Sequence, residues 1–447
     1  MKSTERFNYS AEQLRELTAD ILAQAKAQGA TACEAEVSEG FGQSVTVREG
    51  EVETIEYNRD KGIGVTVYVG KKRGHASTSD MTPQAVRDTV KAALSIASYT
   101  ASDDFSGLAE ADLLANDFAD LDLYTPWDLT VERAIELAQA CESAALDVDE
   151  RINNSEGASV NTNESHFIYA NSLGFMAGYP VSRHGISCAV IAESDNGMQR
   201  DYWYTTARDW RDLDGEQTVG KLAGERTVRR LNARKLDTMD VPVLFEAAIA
   251  AGLISHFVSA VSGGSLYRKS TFLLDSLGKA VFSPLVNLRE LPHLPKGLSS
   301  CRFDNDGVAT HSRDVVRNGV VEGYFLSTYS ARKLGMRSTG NAGGNHNLVL
   351  DATGEDFAAL LKKMDRGLLV TELLGHGINN VTGDYSRGAA GFWVENGIIQ
   401  YPVEEITIAG NLQDMFRHIV AVGTDVLVRG SKQCGSILIE RMTVAGN

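Results

Sequence analysis

His256 is the residue whose type and setting come nearest to metal chemistry. A helix that holds a catalytic zinc presents two ligands about one turn apart, with a glutamate beside them. His256 is followed by apolar residues and a serine over 257–261, with no carboxylate or second imidazole. The nearest acid, Glu246, would lie about 15 Å away along a helix, against a metal bond of about 2 Å. His256 alone therefore does not predict a zinc site.

A glycine-rich stretch over 332–344 is a second candidate. Such a loop can expose backbone groups to a bound peptide, or it can simply need unusual dihedral angles. Both interpretations stay open for its members Ser338, Thr339, Gly340, Asn341, Gly343 and Gly344. Two histidines, His346 and His376, also lie in glycine-rich turns and could meet in space, although no spacing requires it.

Other local signatures of catalysis are absent from the sequence. There is no G-x-S-x-G elbow, no phosphate-binding GxxxxGK[ST] loop, no G-x-G-x-x-G and no HExxH. Because catalytic triads need not be local in sequence, serine or cysteine nucleophiles are unsupported rather than excluded.

The length and the net charge of the chain limit the class of protein to which it can belong. A chain of 447 residues exceeds one ordinary core, so we expect two domains. A net charge of −16 argues against a nucleic-acid-binding surface and is compatible with basic peptide or protein ligands.

The cellular setting follows from what the sequence lacks. There is no apolar run of 18 residues and no signal-peptide pattern, so we expect no membrane contact and a cytoplasmic location. The five cysteines are scattered and form no CxxC pair, which predicts reduced thiols rather than disulfides or a zinc knuckle.

The elements that must position these residues differ between the two halves. In residues 1–236 the periodicity predicts helices over 11–29, 82–99 and 130–146, and a basic helix ending near residue 235. Period-two stretches over 34–79, with breaks at Gly50 and at Lys61–Gly62, and over 152–207 predict antiparallel strands.

An acidic stretch over 100–128 joins two of these helices. It is either a lid or docking segment for a basic partner or a solvated connection, and we favour the connection.

Residues 237–447 read as a β-rich domain with a few helices. An apolar helix follows a strand-like opening at 241, and further helices are predicted over 354–364 and 412–422. Short strands with glycine or Asn-Gly turns are predicted over 319–330, 366–375, 388–403 and 436–446. Helices segregated from hairpins predict an α+β fold with two domains, 1–236 and 237–447.

Several long stretches resemble the TldD/PmbA family of bacterial peptidase subunits. With the amino-terminal hairpins the resemblance covers nearly the whole chain, and its most specific segments are YRKSTFLLDSLGK (267–279), FDNDGVAT (303–310), STYSARKLGMRSTGNAGG (327–344) and TGDYSRGAAGFWVENGIIQYPVEEITIAGNL (382–412).

The resemblance also implies how the metal chemistry is divided. In the TldD branch the matching helix has a His-Glu-x-x-x-His zinc motif, which the PmbA branch lacks. Here the motif positions are His256, Phe257 and Val261. Two of the three side chains therefore have no atom that could bind a metal or transfer a proton beside it. The TldD branch draws a cysteine ligand from the region of Cys434, with displaced flanking residues here. We expect His256 to be a hydrogen-bonded or interface histidine and Cys434 a buried thiol, leaving both as weak ligand candidates.

The family resemblance implies a zinc metalloprotease built from two related chains that trims or degrades small unfolded peptides, such as leader segments of modified peptides and labile antitoxins. This chain would be the metal-free partner of a TldD-type subunit that holds the zinc, and could form a homodimer when alone. Two alternatives remain: a binding or regulatory protein without proteolysis, and a self-sufficient protease with an unusual ligand set.

Overall fold

The structure, a computed structural model, describes residues 6–117 and 119–446. Its architecture is α+β, as predicted. Among the described residues, no helix combines the length and the apolar content needed to cross a membrane. The domain boundary at residues 236 and 237 stays a prediction.

One antiparallel sheet dominates the first half, with the strand order β3-β2-β1-β4-β6-β7 and β5 paired to β4. The elements of this half are α1 (Ala11–Ala27), β1 (Ala32–Arg48), β2 (Glu51–Val69), β3 (Lys72–Thr78), α2 (Pro83–Tyr99), α3 (Val131–Leu146), β4 (Ile152–Asn171), β5 (Met176–Ala177), β6 (Pro180–Ser194), β7 (Gly197–Ala207) and α4 (Glu216–Val228).

Helices cover one face of this sheet because the strands alternate apolar and polar residues. At one end of β1, Ala35 and Val37 belong to an apolar cluster with α1 and α2. At the other end, Val45 and Val47 pack beneath α3 and α4. The turn between β1 and β2 places Glu49 and Gly50 at positive φ, which a two-residue hairpin turn requires.

The second half contains two sheets. Its elements are β8 (Met239–Phe245), α5 (Ala247–Ala260), α6 (Gly263–Tyr267), β9 (Leu288–Glu290), β10 (Arg313–Arg317), β11 (Val320–Val321), α7 (Thr328–Lys333), β12 (Leu348–Leu350), α8 (Phe357–Met364), β13 (Gly367–Leu374), β14 (Asp384–Glu395), β15 (Ile398–Asn411), α9 (Leu412–Arg417), β16 (Ile419–Val422), β17 (Leu427–Val428), β18 (Lys432–Cys434) and β19 (Ile437–Ala445).

One six-stranded sheet of this half closes on itself. Its order is β15-β14-β13-β8-β19-β16, and β15 also pairs with β19. The other sheet has the order β11-β10-β9-β12-β18-β17. Parallel pairs β8–β13 and β12–β18 make both sheets mixed. α5 follows β8 directly, and its apolar face joins the main core of this half.

Several boundaries differ from the sequence-based expectations. β2 continues through Lys61–Gly62 because both residues pair with β1. The basic helix ends at Val228, and Asn232 beyond it adopts φ 62°, which a helix does not accommodate. The predicted 412–422 helix ends at Arg417, because residues 419–422 pair as β16 with β19.

The stretch over 319–330 is wrong in type as well as in extent. Its strand is only β11, and from Thr328 the chain is the helix α7, begun by a capping box between Ser327 and Ser330. The helix predicted from 354 starts at Phe357, because Asp356 caps it.

Candidate functional site

His256 lies on α5, half-buried, with its ring edge-on to Tyr385 of β14 at a centroid distance of 5.9 Å. The helix forms here because the segment is mostly apolar, is rich in alanine and contains no proline. Burial and, second, the nearby Arg387 guanidinium lower the pKa of His256, so the imidazole stays neutral near pH 7.

The other two motif positions lie inside the core. Phe257 is 0% exposed and packs edge-on against Phe282 at a centroid distance of 4.9 Å. Val261 is also 0% exposed and follows the last residue of α5. Neither position presents a donor atom to a metal, and both side chains serve packing.

Cys434 is brought close to this helix, since β18 packs against α5. Its thiol is buried, and burial followed by the charge of Asp425 raises its pKa to about 12. A zinc ligand would have to be the thiolate, which this setting disfavours. The predicted buried thiol agrees with this placement.

The arrangement around α5 does not fit a zinc ion. Zinc needs about three protein ligands, and no group of three His, Cys, Asp or Glu side chains within residues 6–117 and 119–446 is placed to hold a metal. Arg387 adds a positive charge beside the one imidazole. Glu246, immediately before α5, accepts hydrogen bonds from Arg226 of α4 at 2.9 Å and from Arg229 at 3.2 Å.

The glycine-rich loop divides into an anchored part and an exposed part. Asn341 donates to Glu290 at 2.8 Å, and Thr339 donates to Asn341 at 2.7 Å. Ser338 donates to the carbonyl of Leu326 at 3.2 Å, while Gly340 has φ 71°. A Cβ at Gly340 would meet the carbonyl of Ala309 at 2.7 Å, so glycine is required there.

Gly343 and Gly344 are exposed and line a cleft of about 800 Å³ between the two halves of the chain. Residues of β1, β4 and β6 form the opposite wall. Asp304 is buried on the loop side and accepts from the amide of Ala342 at 2.9 Å. Burial and the charge of Asp306 raise the pKa of Asp304 to about 7.

The two turn histidines are not brought together. His346 is buried, with Nδ1 at 3.1 Å from the Cys301 sulfur and Nε2 at 2.7 Å from the Gly340 carbonyl. His376 is exposed after the end of β13. Burial raises the pKa of the Cys301 thiol to about 12, so this Cys-His pair is not an activated nucleophile.

The acidic stretch is bound to the second half of the chain. Arg332 of α7 donates to Glu110 at 2.8 Å and to the carbonyl of Leu108 at 2.6 Å. Tyr329 donates to Asp103 at 2.7 Å. The contacts hold the stretch against α7, and its role as a connection or as a docking segment stays a prediction.

Comparison with known proteins identifies the family. Models of the PmbA/TldA metallopeptidase domains match the chain over 33–97 for domain 1, 124–231 for the central domain and 238–446 for the C-terminal domain. The chain belongs to the PmbA/TldD metallopeptidase family. The PmbA/TldD domains thus include α5, the glycine-rich loop and both walls of the cleft.

Curated members of the PmbA/TldD family match over nearly full length. Metalloprotease PmbA of Escherichia coli O157:H7 is 51% identical over 429 residues, covering 96% of this chain and 95% of that protein. A PmbA homologue from Haemophilus influenzae is 47% identical, covering 100% and 99%. A TldD homologue from Haemophilus influenzae is 22% identical over 402 residues, covering 85% and 83%.

Solved structures share the PmbA/TldD fold. A candidate modulator of DNA gyrase from Bacteroides thetaiotaomicron superposes with a TM-score of 0.93 at 27% identity, covering 98% of this chain and 100% of that chain. TldE from Thermococcus kodakarensis superposes with a TM-score of 0.84 at 19% identity, covering 96% and 100%. The second match supports the fold alone.

Sequence reasoning placed His256, Phe257, Val261 and Cys434 near one another but missed Arg387, Asp304 and Cys301. Arg387 lies 131 positions after His256, and no local pattern joins them. Asp304 lies in a stretch that resembles the family, yet nothing in its neighbours announces that it is buried.

Proposed function

We propose that this chain is the metal-free, non-catalytic subunit of a TldD/PmbA-type zinc metalloprotease, in which a TldD-type chain holds the zinc. The observation behind this proposal is the state of the motif on α5. His256 keeps one donor, Phe257 and Val261 lie in the core, and Arg387 puts a cation beside the remaining imidazole. Family membership supports a role in a peptidase. The lack of three metal-ligating side chains in one place among the described residues supports the assignment of the zinc to the partner chain.

A partner subunit would fit the outer edge of β2. Residues 51–62 pair with β1, whereas the pairing with β3 begins only at Ile63. One side of this segment therefore offers unpaired backbone groups, which favour strand pairing with another chain.

The side chains of this edge are apolar on the helix-covered face. An irregularity beside Val47 sets Val52 opposite Val47, and Ile55 lies opposite Val45. Val45 and Val47 are buried, but Val52, Ile55 and Tyr57 are 41%, 45% and 66% exposed. A buried core thus continues into solvent at an open edge, as expected of a protein interface. We assign this edge to the TldD-type subunit.

The substrate class is a small unfolded peptide or protein, such as a modified-peptide leader or an antitoxin. The cleft of about 800 Å³ supports this part of the proposal, because Gly343 and Gly344 expose backbone along its wall. An extended chain could hydrogen-bond to such a backbone without any particular side chain.

Peptide hydrolysis tests the proposal. An unstructured peptide is incubated with this chain, with a TldD-type chain and with both, and zinc is measured in each sample. We expect cleavage and zinc to require the TldD-type chain, with a higher rate in the mixture. Chelator-sensitive cleavage by this chain alone, or a mixture no faster than the TldD-type chain alone, would contradict the proposal.

A further inference from the structure

A pocket of about 290 Å³ lies between the two halves of the chain, beside α5. β7 and α4 contribute from the first half, and α5, β13, β14 and Arg429 from the second. Gly252 of α5 faces open space there, since a Cβ at this position would meet no atom within 4 Å. The pocket therefore has room at its helical wall.

The wall of this pocket is strongly cationic although the chain has a net charge of −16. It contains five arginines, Arg200, Arg226, Arg230, Arg387 and Arg429, against two carboxylates, Asp201 and Glu372. Three of the arginines are neutralised locally. Arg200 pairs with Glu156 at 2.8 Å, Arg226 with Glu246 at 2.9 Å, and Arg230 with Glu372 at 2.5 Å.

Arg387 and Arg429 are different. Within the described part of the chain, neither has a carboxylate at ion-pair distance. Arg387 donates to the carbonyl of Leu373 over a long 3.4 Å, and its Nε is buried with no hydrogen-bond partner. The Arg429 guanidinium lies over the rings of Trp203 at 3.9 Å and Tyr204 at 4.1 Å. Burial lowers the pKa of Arg429, as expected for a cation that lacks a counter-charge.

The donors of the pocket are incompletely paired. Nε of Arg226, a residue only 8% exposed, has a long ion-pair contact of 3.5 Å with Asp201 Oδ1 as its polar contact. Unsatisfied buried donors are costly, so the buried Nε of Arg387 at this pocket favours a ligand that accepts hydrogen bonds.

We propose that this pocket binds the carboxylate of a small ligand, with the free C-terminus of a short peptide as the ligand class. A planar guanidinium donates two parallel hydrogen bonds to a carboxylate, and Arg387 and Arg429 are the two that remain available. Trp203 and Ile249 in the same wall supply apolar contact for the chain that carries the carboxylate. The assignment concerns this chain alone and does not depend on a partner or on hydrolysis.

Calorimetric titration of the isolated full chain at low salt tests the assignment, with trialanine, trialanine amide and inorganic phosphate as probes. We expect trialanine to bind and its amide to bind at least tenfold more weakly, because the amide lacks the charge that the arginines would neutralise. Equal binding of the amide, or binding of phosphate but not of trialanine, would overturn the carboxylate assignment.

Two variants separate a binding role from a structural role. Arg387→Gln should weaken trialanine binding at least tenfold without lowering Tm, since it removes a half-buried cation that has no carboxylate at ion-pair distance. Gly252→Glu should abolish binding and raise Tm by supplying a carboxylate from within the chain. Arg366→Gln is the control, because Arg366 also covers a tryptophan but lies outside the pocket lining. Unchanged trialanine binding by the Arg387→Gln variant would refute the proposal. A lower Tm of that variant together with no trialanine binding by the wild type would also refute it.

Discussion

Restoring the glutamate of the zinc motif should destabilise this chain instead of giving it a metal site. Phe257 is fully buried and its ring contacts Phe282 and Phe416. Replacing a buried phenylalanine by a smaller side chain costs about 3–5 kcal/mol. A glutamate in its place must also stay neutral, which at pH 7 costs about 4 kcal/mol relative to a usual pKa of about 4.3.

The expected loss for Phe257→Glu is therefore about 7–9 kcal/mol at pH 7, which lies within the usual total stability of about 5–15 kcal/mol. Burial would raise the folded-state pKa of the new carboxyl above its unfolded-state value. The folded state therefore holds the neutral form, and keeping the carboxyl neutral costs more free energy as the pH rises. The penalty should accordingly be about 3 kcal/mol smaller at pH 5 than at pH 7.

Urea unfolding at both pH values measures the penalty, and zinc content is determined on the same samples. Ser259→Glu is the matched control, because Ser259 lies on the exposed side of the same helix and should change stability by less than about 0.5 kcal/mol. A Phe257→Glu, Val261→His variant with wild-type stability and one bound zinc would refute the reasoning.

Three further predictions follow from the same contacts. Glu246→Gln should cost about 3 kcal/mol in urea unfolding, because it removes the carboxylate shared by Arg226 and Arg229 and leaves buried Arg226 with Asp201 at 3.5 Å. Glu225→Gln, on an exposed i,i+4 pair, should cost less than about 0.5 kcal/mol. The pKa of Asp304 is raised to about 7, so its neutral form stabilises the fold at low pH, and this contribution is lost between about pH 4 and 7. Carbon NMR titration of the Asp304 carboxyl measures the pKa. A measured pKa below 4 contradicts the argument. Ile55→Lys and Tyr57→Lys should weaken association with a TldD-type chain at least tenfold in sedimentation experiments while Tm stays within about 2 °C, because both side chains are exposed in the isolated chain. Unaltered association would remove the β2 edge as the interface.

Local sequence signals were reliable where capping and periodicity agreed. Helix α1 begins at Ala11, as predicted, behind a capping box of Ser10 and Gln13, and the predicted α2 begins at Pro83, capped by Thr82. In both segments the apolar residues recur at helical spacing, so the local preference and the burial in the fold coincide.

Local sequence signals failed where strand pairing with residues distant in the sequence decided the secondary structure. Lys61 and Gly62 look like a break, yet β1 pairs with both of them. Residues 419–422 continue an apolar helical pattern, but β19 takes them as a strand. Short apolar runs suit either structure, and backbone hydrogen bonding to the neighbouring strand selects one.

The sequence by itself determined the fold class, the positions of most helices, and the loss of two of three zinc-motif positions, because these depend on residue types at fixed spacing. Tertiary structure alone decided that Arg387 stands beside His256 and that Arg387 and Arg429 share one pocket. Their positions in the sequence are far apart, and only the packing of β14 and the 429 segment against α5 and β7 brings the charges together. Burial then sets the chemistry, since a charge excluded from water must find a partner within the fold or in a ligand.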